Sequence, residues 1–362
     1  MHPYSDLDAR AFWARSVADR NMFDIDQLWV PKYNIRKKQP IATFGSCFAQ
    51  HIGRAFESRG YARLNTEPAP EGLSAQDAKD YNYDIFTCRT GNIYTASLLK
   101  QWTEWALGLT QPPDEIWEKD GRYYDPFRPR IEPNGFADAN ELRAARDHTI
   151  KAFRDAIEKS VVFVFTLGLT ESWFHKTDGH EYPMCPGTAA GTFDAAEHVF
   201  VNQKHLFVLK ALREAIALMR GINPKLRILL TVSPVPLAAT NSGKHVLVAT
   251  MESKAILRAV AGQLEASANY IDYFPSFEII SAPPYRGAFF DPNQRNVNPV
   301  GVNHVMDCFF KCLTGTFSAN SEAPASTSAN TAAFVAPETP ISADDVVCEE
   351  ELLAAFGNDK AG

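Results

Sequence analysis

The chain has 362 residues, 45% of them hydrophobic and 12% aromatic, with a formal net charge of −7. That is enough apolar material for one large packed domain or two smaller ones. An acidic chain with no basic stripe interleaved with aromatics excludes nucleic acid as the expected partner. No run of about 18 apolar residues reads as a membrane span. The start, Met1-His2-Pro3-Tyr4-Ser5-Asp6, lacks a charged region followed by an apolar stretch, so no signal peptide is expected and the setting reads as cytoplasmic. The six cysteines (Cys47, Cys88, Cys185, Cys308, Cys312 and Cys348) are scattered, and disulfides are not expected in that setting.

In chain order, residues 7–24 read as an N-terminal helix carrying Phe12, Trp13, Met22 and Phe23. The run Pro40-Ile41-Ala42-Thr43-Phe44 is strand-like, breaks at Gly45, and resumes as a helix pattern through Ile52, Ala55 and Phe56 to about Gly60. Ser46 and Cys47 therefore stand at a strand's carboxyl end and a helix N-terminus, where open α/β sheets place their chemistry and where a thiolate is favoured. A plain turn with a buried cysteine fits the spacing equally well. Residues 64–89 read as irregular. Gly91-Asn92 marks a turn leading to a helix capped by Thr95, whose N–H groups suit an anion or simply end a loop. Asp120-Gly121 suggests a small hairpin, 140–158 a charged amphipathic helix, and Val161 to Leu167 a buried strand. The polar cluster Gly168-Leu169-Thr170-Glu171 follows that strand directly.

His175, Asp178, His180 and Glu181 have metal-compatible side chains, but the intervening Lys176, Thr177 and Gly179 read as a hairpin turn, and no metal site is assigned. A helix over 203–220, a strand from Leu226 to Val232, a helix over 247–267, a strand-like run from Tyr270 to Phe274 and a final helix over about 299–313 complete the pattern. Cys308 and Cys312 lack a partner His/Cys pair and read as buried apolar residues of that last helix. Strands alternating with helices imply a doubly wound, mostly parallel α/β sheet flanked by helices. Its domain covers 1–315. A low-complexity linker over 316–342 makes a disordered C-terminal tail. A short acidic amphipathic segment over 343–362 is suited to docking on a protein partner or back on the domain.

Six blocks then resemble those of the GSCFA family, in its order. They are Phe44-Gly45-Ser46-Cys47-Phe48-Ala49, Gly91-Asn92-Ile93-Tyr94-Thr95, the run from Thr166 to Trp173, Cys185-Pro186-Gly187-Thr188, the run from Thr231 to Leu237, and the run from Tyr273 to Ile279. The resemblance covers about residues 10–314. It implies an SGNH-hydrolase-like, flavodoxin-like three-layer α/β/α fold. It also implies acyl transfer or ester hydrolysis on a polysaccharide, other glycan or small-molecule substrate, with acyl-CoA as the implied donor and no certain cofactor.

Laid on the nucleophile turn of SGNH enzymes, Gly45-Ser46-Cys47 puts the nucleophile at Cys47 rather than Ser46, and a thiol suits acyl transfer through a thioester. The oxyanion donors implied are the Cys47 N–H, Gly91 with Asn92, and the Gly168-Leu169-Thr170-Glu171 turn. Thr170 stands where SGNH enzymes use Asn. The acid–base block departs from the pattern, because Asn293-Gln294-Arg295-Asn296 replaces Asp-x-x-His, and neither Asn293 nor Asn296 can take a proton. His304, too late in the chain, reads as a surface histidine. Three expectations remain. Cys47 acts already ionised; His51, one helical turn on, serves as base; or the chain is a non-catalytic carbohydrate- or CoA-binding protein that kept the pocket.

Overall fold

The structure is a computed structural model, and it describes residues 2–318, 346, 348 and 351–358. These divide into two compact units, one built from 37–273 and the segment after 345, the other from the residues up to 36 and those from 274 on.

In chain order the larger unit holds β1 (Ile41–Gly45), α1 (Phe48–Ser58), α2 (Ala75–Asp80), α3 (Ala96–Ala106), β2 (Trp117–Lys119), β3 (Arg122–Tyr124), α4 (Ala139–Lys159), β4 (Val162–Leu167), β5 (Glu171–His175), β6 (Glu181–Tyr182), β7 (His198–Asn202), α5 (His205–Ile222), β8 (Arg227–Val232), α6 (Val246–Ser267) and β9 (Ile271–Tyr273). Four strands form a parallel sheet in the order β1-β4-β8-β9. β1, β4 and β8 are the mainly apolar runs of the sequence, buried along almost their whole length, while β9 carries the buried Asp272.

Side chains alternate along a strand, and the two faces of β1 meet different helices. Phe44 packs on Phe153 of α4 (4.9 Å between ring centroids) and on Phe163 of β4 (5.1 Å), while Trp102 of α3 reaches Phe153 at 6.1 Å. On the other face, a Cβ at Gly53 of α1 would lie 3.2 Å from Thr43 Oγ1. The result is the helix–sheet–helix α/β architecture expected.

Residues 62–64 extend the sheet beyond β1. The Ile41 amide donates to the Ala62 carbonyl (2.9 Å), the Leu64 amide to the Ile41 carbonyl (2.8 Å), and Arg63 pairs with Ile41 in parallel. The chain therefore winds to one side of β1, then returns to the other side as β4. In open α/β sheets the strand ends at such a reversal are where sites are placed, here the carboxyl ends of β1 and β4. Two excursions leave the parallel frame. β2 and β3 make the expected hairpin, with Asp120 and Gly121 at φ +52° and +72°, a pair of positive values typical of tight hairpin turns. β6, β5 and β7 form a separate antiparallel sheet.

The smaller unit brings both ends of the domain together. Its helices are α7 (Ser276–Ser281) and α8 (Pro299–Ser318). The single N-terminal helix expected over 7–24 is instead three short turns, Ala9–Ala11, Ala14–Ala18 and Met22–Asp24. None of them buries a residue, and a polar helix with no buried face is not sustained. Trp29 stacks on Phe309 of α8 (4.9 Å) and meets Phe274 edge-on (5.3 Å). His304 is not the surface residue expected. It packs against Phe23 (5.4 Å), Phe289 (5.1 Å) and Tyr285 (5.8 Å), and burial holds it below the usual histidine range. Cys308 and Cys312 of α8 are only partly buried.

The linker expected over 316–342 lies, from residue 319 on, outside the described residues. The segment after it returns to the larger unit as α9 (Glu351–Asn358). Cys348 is buried with its sulfur 3.9 Å from Tyr94 Oη. Among the described residues no helix is long and apolar enough to cross a membrane.

Candidate functional site

The corner where β1 ends beside β4 is built on a glycine. Gly45 has φ +129°, and a Cβ there would stand 2.3 Å from the Thr166 carbonyl oxygen and 2.6 Å from its nitrogen. Only glycine lets the end of β1 lie so close to β4 while turning into a helix. The Ser46 amide then donates to the Thr166 carbonyl (3.0 Å). The carbonyls of Ser46 and Cys47 accept from Ala49 (2.8 Å) and Gln50 (3.1 Å), which starts α1. Cys47 occupies the N-cap position, and its side chain makes no capping bond. The thiol therefore stands at the positive end of an 11-residue helix, 5% exposed.

Two further blocks close on this corner. The Ile93 amide donates to the Gly45 carbonyl (2.9 Å), which seats the Gly91-Asn92 turn on the end of β1; Gly91 has φ +67° and Asn92 is buried. The Gly168 amide donates to the Tyr94 carbonyl (2.9 Å). A Cβ at Gly168 would meet the Ser46 Cβ and the Tyr94 carbonyl oxygen, both at 3.0 Å. Residues 45–47, 91–95 and 166–170, scattered over more than a hundred positions, thus form one knot of backbone bonds. Ser46 Oγ is buried there without a hydrogen-bond partner among the described residues.

Several expected roles change on inspection of the bonds. Thr170 is fully buried, its amide donates to Ser253 Oγ (3.0 Å), and its hydroxyl donates to Asn202 Oδ1 (2.8 Å). Both donors are committed to the scaffold, so Thr170 does not present an oxyanion donor, and the Gly168 amide is likewise engaged by Tyr94. His51 lies on the buried side of α1, 5% exposed, with its ring 5.5 Å from Phe48. Burial and the neighbouring Arg54 lower it to about 3. Such a ring is neutral at physiological pH but too weak a base to draw a proton from a thiol. Asn296 belongs to the smaller unit. There Asn293 Oδ1 accepts from the amides of Arg295 (2.9 Å) and Asn296 (3.0 Å), so the pair builds a side-chain-closed turn.

Glu171 heads β5, half-buried. Its carboxylate accepts from Thr240 Oγ1 (2.5 Å) and the Asn241 amide (3.4 Å), and burial raises it above the usual range. It lines a groove of about 270 Å³ together with Leu169, Trp173, Phe200, Leu237 and Leu353 of α9. A second, larger cavity of about 570 Å³, lined by Tyr81, Tyr124, Arg130 and Leu352, includes none of the expected site residues.

Two residues missed in the sequence belong to the corner. Lys254 of α6 is 2% exposed and its ammonium donates to the Gly168 carbonyl (2.6 Å), while its neighbour Ser253 holds Thr170. Their signal is a lysine and a serine inside an otherwise apolar stripe that includes Ala249, Leu257, Val260 and Leu264. A buried lysine in such a stripe calls for an acceptor to hold it.

A sequence model of the GSCFA family matches residues 40–309, three quarters of the chain. No curated protein and no solved structure matches it.

Proposed function

Because the chain belongs to the GSCFA family, we propose that it is an acyl-transfer enzyme, an acetyltransferase or esterase acting on a glycan, with Cys47 as nucleophile. The observation that carries this reading is the convergence of the three blocks on the Gly45-Ser46 turn, which leads directly to Cys47 at the N-cap of α1, at the sheet's reversal point. In the first half-reaction the Cys47 thiolate attacks the acyl carbonyl carbon of the donor. A carbon–sulfur bond forms, and the donor's leaving group departs with the electron pair of the broken bond. With acyl-CoA as donor, that leaving group is the CoA thiolate. In the second, a glycan hydroxyl attacks the enzyme thioester and gives its proton to water, from which the CoA thiolate takes one up; the carbon–sulfur bond breaks and Cys47 leaves as thiolate, and water in place of the glycan gives the esterase reaction. The backbone N–H of Cys47 and the Gly91-Asn92 turn are the donors proposed for the tetrahedral oxyanion. The positive helix end supplies a field that favours the thiolate, so a strong base is not required. A reducing, cytoplasmic setting suits such a thiol.

Incubation with acyl-CoA is expected to add one acyl group to the intact mass, released by neutral hydroxylamine. Cys47→Ala should lose the adduct and reduce transfer to a glycan acceptor by a factor on the order of 10³ or more. Equal transfer by wild type and Cys47→Ala would sink the assignment. A second reading is a carbohydrate- or CoA-binding protein without turnover, favoured by the turn-forming role of Asn293 and the low basicity of His51. It predicts no adduct on wild type and the same ligand affinity in the variant.

A further inference from the structure

We propose that the turn joining β5 to β6 holds a divalent transition-metal ion, with His175, Asp178 and His180 as ligands. The site is separate from the acyl-transfer reading and does not depend on it. One donor atom from each of the three side chains lies within 4.8 Å of the other two. His175 Nδ1 and Asp178 Oδ2 stand 3.1 Å apart, close to the separation of about 3.3 Å that two ligands take on one tetrahedral zinc ion with bonds of about 2.0–2.1 Å.

The tautomers point the same way. The Asp178 amide donates to His175 Nδ1 (3.1 Å), which puts the proton of that ring on Nε2, and an ion bound at Nδ1 takes the place of this hydrogen bond. On His180 the Nε2 side faces Glu115 Oε2 (3.1 Å) and Tyr182 Oη (2.9 Å). Glu115 is fixed in place by the Tyr182 hydroxyl (2.7 Å) and the Trp117 indole N–H (2.9 Å). A carboxylate on Nε2 leaves Nδ1 of His180 as the bare nitrogen, and that atom is buried with no hydrogen-bond partner among the described residues. His180 Nδ1 is thus a buried, unpartnered nitrogen in a cluster with the His175 ring, whose centroid lies 4.9 Å from its own, and the Asp178 carboxylate. A cation resolves that arrangement. A histidine held from behind by a carboxylate is the usual support for a metal ligand. Two nitrogens and one oxygen suit Zn²⁺ or its first-row neighbours rather than Mg²⁺ or Ca²⁺. Gly179, with φ +71°, lets the chain turn tightly enough between the ligands.

Titration of the full chain with Zn²⁺, followed by calorimetry and by competition with a chromogenic chelator, is expected to give one equivalent bound. Asp178→Ala, His180→Ala and the supporting variant Glu115→Gln should each weaken it, the last by a factor of about 10–100. With Co²⁺ as the probe, wild type should show the intense visible absorption of a four-coordinate site, and Asp178→Ala should lose it. Asp178 is exposed on the turn, so its variant keeps the test valid where His180→Ala fails to fold. The proposal is overturned if wild type binds no Zn²⁺ above background. It is equally overturned if Asp178→Ala binds as tightly as wild type, which would place the ion elsewhere or leave a protonated His175 as the partner of Asp178.

Discussion

A carboxyl group sealed beneath the N-terminus of α3 shows how one side chain can tie stability to pH. Glu181 is 1% exposed and takes hydrogen bonds from Thr95 Oγ1 (2.5 Å) and Gln203 Nε2 (3.4 Å), with Ser97 also engaged. Burial outweighs these bonds and raises it to about 7. Its other oxygen has no partner among the described residues. In the unfolded chain a glutamate ionises near pH 4.3, so between about pH 4.5 and 7 the folded state holds a proton that the unfolded state has released. Stability contributed by this group is therefore full below that window and is lost as pH rises through it. At roughly 1.4 kcal/mol per pH unit the loss is on the order of 3 kcal/mol. Glu181→Gln should flatten the denaturation midpoint between pH 5 and 8 and make the protein more stable than wild type at pH 8. A variant as pH-sensitive as wild type would put the effect on another group. Thr95 also accepts from the Leu98 amide (3.0 Å), the cap foreseen from the sequence. Its second partner, 86 positions away, leaves no trace in a local pattern. The same limit explains Thr170: its residue type and place after a strand are legible, while the partners that commit both its donors come from β7 and α6.

Between elements, an ion network ties the β2–β3 excursion to α4. Asp125, fully buried, faces Arg128 (2.7 Å) and Arg146 (3.0 Å). Arg128 donates on to Thr149 Oγ1 (2.6 Å), which donates to Glu67 (2.9 Å), and Arg146 reaches the carbonyls of Pro113 (2.7 Å) and Glu115 (2.8 Å). Burial works against the Asp125 charge, but the two guanidinium groups more than offset it and hold the carboxyl below its usual range. Asp125→Asn strands two buried cations and should cost about 3–5 kcal/mol, read as a lower midpoint in urea. A loss under about 1 kcal/mol would mean that water reaches the network. The strands β1, β4 and β8 were readable because burial along almost their whole length writes a mainly apolar run. The antiparallel sheet of β5, β6 and β7 was not: β6 has two residues, and β7 is defined by pairing with β5 some 27 positions earlier. The turn in front of β6 is legible as a hairpin and joins the antiparallel β5 and β6, but spacing alone does not reveal that its histidines and aspartate converge.

At the scale of the whole molecule the chain crosses between its two units three times. Of the described residues, those up to 36 belong to the smaller unit, 37–273 to the larger, 274–318 to the smaller again, and 346, 348 and 351–358 to the larger. Within the smaller unit the first and last parts meet at Trp29, between Phe274 and Phe309. Trp29→Ala should cost about 3–5 kcal/mol and lower the melting transition of that unit. An unchanged thermogram would show that the aromatic contact contributes little. This discontinuity has a consequence for synthesis. Trp29 leaves the ribosome well before its stacking partners, which follow about 240–280 residues later, a wait of roughly ten seconds to a minute at the usual 5–20 residues per second. Over that interval the larger unit can collapse around its own sheet, while the leading segment remains open to chaperones, proteases and neighbouring nascent chains.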